Sequence, residues 1–477
     1  MNVPSAPIPA DSGDAATDNN TPAPYKTPLP VLQLAVLCAV RLMDPVTFTQ
    51  IFPYINEFLA KLHLVKDESQ IGFYSGVVES TFAFFQLISI YHWAKLSEKI
   101  GRRPIVIGGT FGLALATLLL GFTSSLWAIL LSRALAGLCS GIAAVLHSVL
   151  GELTDSTNQH IAFPLYGLFW PLGSILGPII GGSLANPAEK YPGVFDYSLF
   201  RTYPYLLPCL TTGLLAFVTA VVATIFLTET HPSKQPSINT SGAEHISSHR
   251  SLNFMSVPEQ SQLTILQLLS IPIIRALSVS GASLCFTATA FDSVFVLFCY
   301  TSIPEGGLDF NTSTIGYALA IAGTSSIAIQ TLILPSLLRH FGHAHLYNFC
   351  MSMWPIAYIL MPFLNLFAYE PIQLWIAITV LLSVSRVGCL AYSVSMVLVK
   401  ENAPSPYALG QSNGLVMFAM CASRAFAPAF VSTMFVFSIK NNILGGYMWT
   451  AVMFFISLLG CSLSRSIAHP ERQIQLR

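Results

Sequence analysis

Seven ionisable side chains of this sequence stand inside long apolar stretches, where no water is at hand to stabilise a charge. They comprise four arginines and three acids: Arg41, Asp44, Glu79, Arg133, Asp292, Arg386 and Arg424. Each costs about 2.5–3.5 kcal/mol at the centre of a hydrocarbon layer by insertion scales, so such residues usually face a wet cavity or pair with one another. Arginine does not release its proton, whereas a carboxyl group in low-dielectric surroundings can exchange one. The acids are therefore the candidate proton carriers.

Position along the apolar stretches selects among these groups. Four of these residues lie at a similar depth below the same side of the predicted membrane. A helix rises 1.5 Å per residue, which places them about 10–15 Å below that side: Asp44, Glu79, Arg133 and Asp292. We predict that Asp44 and Glu79, with Arg133 as their charged partner, couple proton movement to helix rearrangement, and Asp292 is a further candidate. The alternative is a structural ion pair that locks the helices together.

The composition indicates that these residues belong to a membrane protein. Hydrophobic residues make up 53% of the 477 residues and charged residues only 9%, whereas soluble domains carry roughly 25% charged residues. The formal net charge is zero, so nothing indicates a nucleic-acid partner. No nucleotide-binding glycine loop, His-Glu-x-x-His metal motif or Gly-x-Ser-x-Gly elbow appears. We therefore predict no enzyme activity, no cofactor and no metal site.

A helix needs about 20 apolar residues to cross a bilayer, and twelve stretches reach about this length. The predicted fold class is therefore an all-α membrane protein, with twelve transmembrane helices in two pseudo-symmetric six-helix bundles. The predicted spans, numbered 1 to 12, are 31–54, 71–92, 104–122, 126–149, 162–185, 204–228, 277–300, 313–336, 345–367, 372–397, 406–436 and 444–464.

One long connection, rich in Ser, His, Gln and Pro, divides the chain between spans 6 and 7. We interpret it as a linker, with a short surface helix near Thr264–Leu269. The predicted divisions are a disordered tail at 1–30, a first bundle at 31–229, the linker at 230–275, a second bundle at 276–465 and a tail at 466–477.

Lysine and arginine set the expected orientation, because the cytoplasmic loops of membrane proteins carry more of them. The turn between spans 2 and 3 alone holds Lys95, Lys99, Arg102 and Arg103. We expect both termini and the linker in the cytoplasm, with the protein in the plasma membrane rather than the vacuolar membrane.

The two halves of the chain share short matching segments. Ser132–Ala134 in span 4 matches Ser385–Val387 in span 10, and Pro178 in span 5 matches Pro428 in span 11. Chance similarity among apolar helices is the alternative for any single match. Matches in the same order favour an internal repeat with a shared site between the halves.

The turn between spans 2 and 3 resembles the corresponding loop of the major facilitator superfamily, Gly-x-x-x-Asp-Arg-x-Gly-Arg-Arg. Ala94 replaces the first glycine, and charge is kept at both substituted polar positions. In this family the turn holds the inner gate, which gives the candidate gating residues Glu98, Lys99, Gly101, Arg102 and Arg103.

Span 5 carries a glycine and proline pattern that is similar to the signature of drug and metabolite antiporters. Gly173, Gly177 and Gly181 are four residues apart, a stripe that lets helices approach closely, and Pro178 kinks the helix. We expect span 5 at the contact between the halves, with these four residues taking part in gating. Tight packing without motion is the alternative.

A finer resemblance is to a fungal and plant branch of efflux facilitators, which includes drug-resistance-like and zinc-induced-facilitator-like proteins. It rests on Arg41–Pro45 and Phe52–Tyr54 in span 1, Glu79–Ser80 in span 2 and Thr228–His231 after span 6. The branch usually has Glu where this chain has Asp44.

The resemblance implies a secondary active transporter that works by alternating access. We predict a proton-coupled antiporter that exports a small organic molecule, such as a drug or secondary metabolite. Alternatives are a facilitator for an organic acid, sugar or metal chelator, and a nutrient receptor that does not transport. The predicted partners are the bilayer, the small molecule and protons, and we expect a monomer.

The substrate cavity is expected near mid-membrane, where Arg386 and Arg424 would line the second half or bind an anionic group of the substrate. For the aromatic candidates, packing in the core or against lipid is the alternative. Asn311 begins an Asn-Thr-Ser glycosylation pattern in a predicted outer loop. The cavity candidates are Arg41, Phe48, Gln86, Trp170, Arg386 and Arg424.

Overall fold

The chain folds as a bundle of helices. In the computed structural model, the part of the chain that is described contains helices and no strand. Twelve of these helices are long and apolar enough to cross a membrane, so the predicted all-α membrane fold is confirmed. The predicted tails and linker fall mainly outside the described residues, which are 27–62, 70–155, 158–231, 265–402 and 409–468.

The twelve spans agree with the predicted stretches in number and order. They are Val31–Thr49, Ile71–Ile100, Arg102–Gly121, Leu126–Leu153, Ile161–Leu184, Leu206–Phe226, Pro272–Tyr300, Thr312–His340, His343–Phe367, Pro371–Asn402, Gln411–Lys440 and Met448–Ile467.

Span 1 is shorter than predicted, because it ends at Thr49 and gives way to a turn. Pro53 lies in that turn and has no N–H to continue the helical hydrogen bonds. A separate short helix, Ile55–Lys61, follows. Span 2 is longer than predicted and continues to Ile100.

Three spans are interrupted. Span 4 consists of the helices Leu126–Ser140 and Ala143–Leu153, and span 5 contains the helix Phe169–Leu184 after a break at Leu168. Span 8 contains one π-helical turn, Ile329–Ile333. The break in span 4 matters for the site because it directly follows Ser140.

Short helices connect some of the spans. Between spans 5 and 6 lie Pro187–Lys190, Pro192–Phe195 and Ser198–Thr202. The helix Ile265–Ser270 precedes span 7, where a short surface helix is predicted. A 3-10 turn, Ile303–Glu305, lies between spans 7 and 8.

Most packing is within each half of the chain. Span 1 packs on spans 5 and 6, span 3 on span 6 and span 2 on span 4, while span 7 packs on spans 11 and 12 and span 9 on spans 10 and 12. Two extensive contacts cross between the first half, spans 1–6, and the second half, spans 7–12. They join span 5 to span 8 and span 2 to span 11.

Glycines allow the backbones to meet at these two crossings. A Cβ atom on Gly316 of span 8 would lie 2.5 Å from the carbonyl oxygen of Pro178 in span 5. A Cβ atom on Gly76 of span 2 would lie 2.7 Å from the carbonyl oxygen of Pro428 in span 11. Real Cβ atoms do not come this close to backbone, so only glycine fits. The division into two separate bundles stays a prediction.

Candidate functional site

Asp44 lies at the centre of a polar cluster that joins three spans. The residue is 6% exposed, and one oxygen of its carboxylate is 3.5 Å from a guanidinium nitrogen of Arg41, one helical turn earlier. The hydroxyl of Ser140 in span 4 donates to the other oxygen, and the amide nitrogen of Gln86 in span 2 donates to the Ser140 oxygen over 2.8 Å. The cluster therefore fixes the carboxylate with one cation and one neutral donor.

A small cavity adjoins this carboxylate. It measures about 10 Å³ and is bordered by Asp44, Ser140 and Thr110, with apolar side chains around the rest. That volume is close to the space that one water molecule needs. The carboxyl group of Asp44 therefore has room for one small polar partner beside it.

Glu79 makes a polar contact between the two halves of the chain. It is 4% exposed in span 2, and the hydroxyl of Ser293 in span 7 donates to its carboxylate over 2.5 Å. The hydroxyl of the next residue, Ser80, accepts a hydrogen bond of 3.1 Å from the backbone N–H of Ala429 in span 11. The carboxylate of Glu79 therefore joins span 2 to span 7 of the other half.

Arg133 differs from its expected place in the site. It is 2% exposed, and its guanidinium lies 4.6 Å from the ring centroid of Phe82 and 5.6 Å from that of Phe48. No carboxylate oxygen of a described residue lies within 4.0 Å of it, and two of its nitrogens have no hydrogen-bond partner. Arg41 is the arginine that meets Asp44, because it stands on the same helix face.

Asp292 and Arg386 form a second ion pair within the spans. The carboxylate of Asp292 in span 7 accepts a bond of 2.5 Å from the guanidinium of Arg386 in span 10. The Asp292 side chain is 41% exposed, much more than either of the other two acids. The structure therefore pairs Asp292, predicted to take part in proton coupling, with Arg386, predicted to line the substrate cavity.

Aromatic rings surround the remaining cavity candidates. The guanidinium of Arg41 lies 4.8 Å from the ring centroid of Trp170 and 5.6 Å from the ring centroid of Tyr166. The guanidinium of Arg424 lies 4.6 Å from the ring centroid of Phe48 and 5.7 Å from the ring centroid of Trp170. Spans 1, 5 and 11 meet at these rings. Tyr166 was not predicted as a cavity residue. Its only signal in the sequence was its position one helical turn before Trp170.

The charged turn between spans 2 and 3 is held by residues of the first half. Gly101 has a φ of +105°, which favours glycine, and a Cβ atom there would meet the carboxylate of Glu229. That carboxylate accepts the backbone N–H of Arg102 over 2.8 Å and that of Arg103 over 3.1 Å, at the start of span 3. It thus neutralises a helix N-terminus.

Side chains extend this network. The guanidinium of Arg102 donates to Glu152 over 3.2 Å and to the hydroxyl of Ser97, and that of Arg103 donates to the carbonyl of Thr224 over 2.7 Å. The expected gating residues Glu98 and Lys99 are exposed instead. Glu152 and Glu229, which hold this turn, were not among the predicted site residues, because their partners are distant in the sequence.

The opposite end of the bundle is closed by Lys190, which follows span 5. Its ammonium group donates to the carbonyl of Gly182 over 2.7 Å and to the hydroxyls of Thr312 and Ser313 over 3.0 and 2.8 Å. Burial lowers the pKa of Lys190. These bonds tie the start of span 8 to the end of span 5.

The glycine stripe of span 5 faces inward within the first half. A Cβ atom on Gly173 would lie 2.9 Å from the carbonyl oxygen of Leu42, and one on Gly177 would lie 2.8 Å from that of Val46, both in span 1. Gly181 meets the backbone of Gln50. Span 5 does lie at the contact between the halves, but it contacts span 8 through a different face.

Asn311 caps the start of span 8. Its side-chain oxygen accepts the backbone N–H of Thr314 over 2.9 Å, and the residue is exposed. Glycosylation at this position stays a prediction. Within the described ranges, no group of three or more His, Cys, Asp and Glu side chains is placed to hold a metal ion.

Twelve spans with ionisable groups buried between them define an integral, multi-pass membrane protein. The chain matches the Major Facilitator Superfamily over residues 37–428. It therefore belongs to this superfamily, whose members are transporters and not enzymes.

Relatives and solved structures agree with this assignment. The chain is 37% identical to the major facilitator-type transporter psiT2 of Psilocybe cyanescens, over 94% of this chain and 92% of that protein. It is 30% identical to the multidrug transporter mfsB of Aspergillus fumigatus, over 84% and 77%. A bacterial homologue of the human lysosomal transporter Spinster, solved inward-facing and occupied, shares the fold with a TM-score of 0.65, 12% identity and coverage of 93% and 97%. The predicted branch is confirmed.

Proposed function

We propose that this protein is a proton-coupled exporter of a small organic molecule, working by alternating access. The observation that carries the proposal is the bond between Glu79 and Ser293. It places a buried carboxylate at the contact between spans 2 and 7, which belong to different halves. The resemblance to a fungal multidrug transporter, mfsB of Aspergillus fumigatus, supports export.

Proton coupling follows from what this carboxylate can do in its two states. Ionised, Glu79 accepts the Ser293 hydroxyl across the contact, and no arginine nitrogen lies within 4.0 Å of it among the described residues. Protonated, it loses its charge and becomes a donor itself. Each protonation therefore changes the strength of one bond between the halves, which is what coupling requires.

Asp44 is the second proton carrier of the proposal. Because arginine is not itself a proton carrier, a proton that reaches Asp44 removes the charge of the carboxylate and breaks the ion pair with Arg41. The guanidinium of Arg41 already lies 4.8 Å from the ring of Trp170, a predicted cavity residue. A proton on Asp44 would thus alter the cavity that receives the substrate.

The test is a transport screen in proteoliposomes with an imposed pH gradient. The panel holds small aromatic cations, neutral molecules and anions, and transport is measured as accumulation against a concentration gradient. We expect at least one class to accumulate in a gradient-dependent way, and Glu79→Gln to abolish accumulation. The matched control is Glu370→Gln, since Glu370 is exposed at the end of a loop.

Two results would overturn the proposal in different ways. Equal flux with and without the pH gradient would indicate the facilitator that was the first alternative. No flux for any member of the panel, from protein that is folded and incorporated, would favour the non-transporting receptor.

A further inference from the structure

The buried charges do not balance within the bundle. Four arginines face three carboxylates, and only two pairs are made, Arg41 with Asp44 and Arg386 with Asp292. Glu79, the remaining acid, lies near Arg133 but bonds to a serine. Among the residues that the structure describes, Arg424 has no carboxylate oxygen within 4.0 Å.

Arg424 stands at the meeting point of the two halves. It belongs to span 11, yet its guanidinium packs on Phe48 of span 1 and Trp170 of span 5, at 4.6 and 5.7 Å from the ring centroids. One of its terminal nitrogens, Nη2, is buried and has no hydrogen-bond acceptor. A buried cationic donor without an acceptor costs free energy, so a ligand that supplies an acceptor to Nη2 would be bound favourably.

The chemistry of the missing acceptor follows from the guanidinium. Its planar fork matches a carboxylate or phosphate group, to which it can donate two parallel hydrogen bonds. An anion at this point would also cancel the excess positive charge of the site. A cationic substrate would instead add to the charge and leave Nη2 unsatisfied.

The walls of the site select for an organic rather than an inorganic anion. Phe48 and Trp170 present ring faces beside the guanidinium. Phe48 also packs edge-to-face against Phe52 and at a tilt against Phe82, with ring centroids 5.1 and 4.8 Å away. Flat apolar ligands gain from such rings, because aromatic pairs stabilise beyond the area that they bury.

We propose that Arg424, together with Phe48 and Trp170, binds the anionic group of an aromatic organic substrate. The inference rests on the proposed function, since it names the substrate class of the predicted substrate cavity. It assigns the specificity to one residue of the second half that bridges to two spans of the first. A bound anion would draw spans 1, 5 and 11 together.

The test is equilibrium binding to the purified full-length protein, without any ion gradient. Three probes share one ring system and differ in charge: 2-naphthoate, 2-naphthamide and 2-naphthylmethylamine. Affinity is measured by calorimetry, and acetate serves as an anion without a ring. We expect naphthoate to bind at least about tenfold more tightly than the amide, the amine or acetate, in line with one charge-assisted bond.

Variants locate the effect. Arg424→Gln should weaken naphthoate binding about tenfold or more and leave the amide unchanged, whereas Arg424→Lys should retain part of the preference because it keeps the charge. Arg339→Gln is the matched control, an exposed arginine outside the site. Melting without ligand checks that each variant is folded.

Equal binding of naphthoate and naphthamide, a preference for the amine, or undiminished naphthoate binding by folded Arg424→Gln would each overturn the inference. So would the absence of binding by all three probes. These outcomes are independent of proton coupling, because the assay has no gradient. If the protein binds naphthoate but its transport does not depend on the pH gradient, only the proposal of proton coupling is contradicted.

Discussion

At the scale of single residues, the arrangement of the site depends on which arginine pairs with which carboxylate. Arg41 and Asp44 pair on one helix face, and Ser140 and Gln86 extend the cluster to spans 4 and 2. Arg133 stays on phenylalanine rings instead. The ion pair at Asp44 is therefore local to span 1, and the link to other spans is made through neutral groups.

Asp44→Asn tests this arrangement, since asparagine keeps the shape and cannot exchange a proton. We expect the variant to lose uphill transport driven by a pH gradient while exchange of substrate across the membrane persists. The measurement compares gradient-driven accumulation with exchange in proteoliposomes. Asp196→Asn, in the exposed pair with Arg201, is the control. Full pH-driven transport by Asp44→Asn would discard Asp44 as a carrier.

At the scale of elements, the start of span 3 depends on a carboxylate from the segment after span 6. Partial burial tends to raise the pKa of Glu229, but the backbone N–H groups of His231, Arg102 and Arg103 outweigh it and hold the pKa below the ordinary 4.5. A lowered pKa means that the stabilisation is complete above the ordinary value. It is lost as the pH falls through the lower, folded-state value.

Glu229→Gln should therefore destabilise the protein at pH 7 by about 1 kcal/mol, the usual worth of a helix N-terminal cap. The difference from the unaltered protein should shrink as the pH falls below 4.5. Thermal melting in detergent across this range is the measurement. Glu98→Gln, an exposed residue of the same turn, should change little. A pH-independent difference would contradict the capping role of the charge.

At the scale of the whole molecule, the two halves touch where backbone meets backbone. Spans 5 and 8 cross at Pro178, Gly182 and Gly316, and Lys190 ties the same end by three hydrogen bonds. The proposed alternating access would require this crossing to open and close. A side chain at Gly316 would be tolerated only in a separated arrangement.

Gly316→Val should hold the halves apart at this end and slow transport, because overpacking of about 1–3 kcal/mol lowers the closed population about fivefold or more. Gly108→Val is the matched control, since a Cβ atom there meets nothing within 4 Å. Transport rate and melting temperature are measured together. An unchanged rate in Gly316→Val would mean that this crossing does not move during transport.

Hydropathy and charge placement determined much of this protein before any fold was known. Twelve apolar stretches and seven charges within them predicted the membrane fold, because a bilayer imposes length and excludes charge whatever the neighbours are. The charged turn between spans 2 and 3 indicated the family. Helix ends were less certain, as span 1 shows, since a proline and local turn decide them.

Only the tertiary structure decided partners and faces. Asp44 bonds to Ser140 of span 4 and not to Arg133, the stripe of span 5 faces span 1, and Glu229 caps span 3 from far along the chain. Each of these depends on how a helix is rotated about its axis and which neighbour it packs on. Such rotation is set by the sum of many weak contacts between distant segments, and no local spacing in the sequence encodes it.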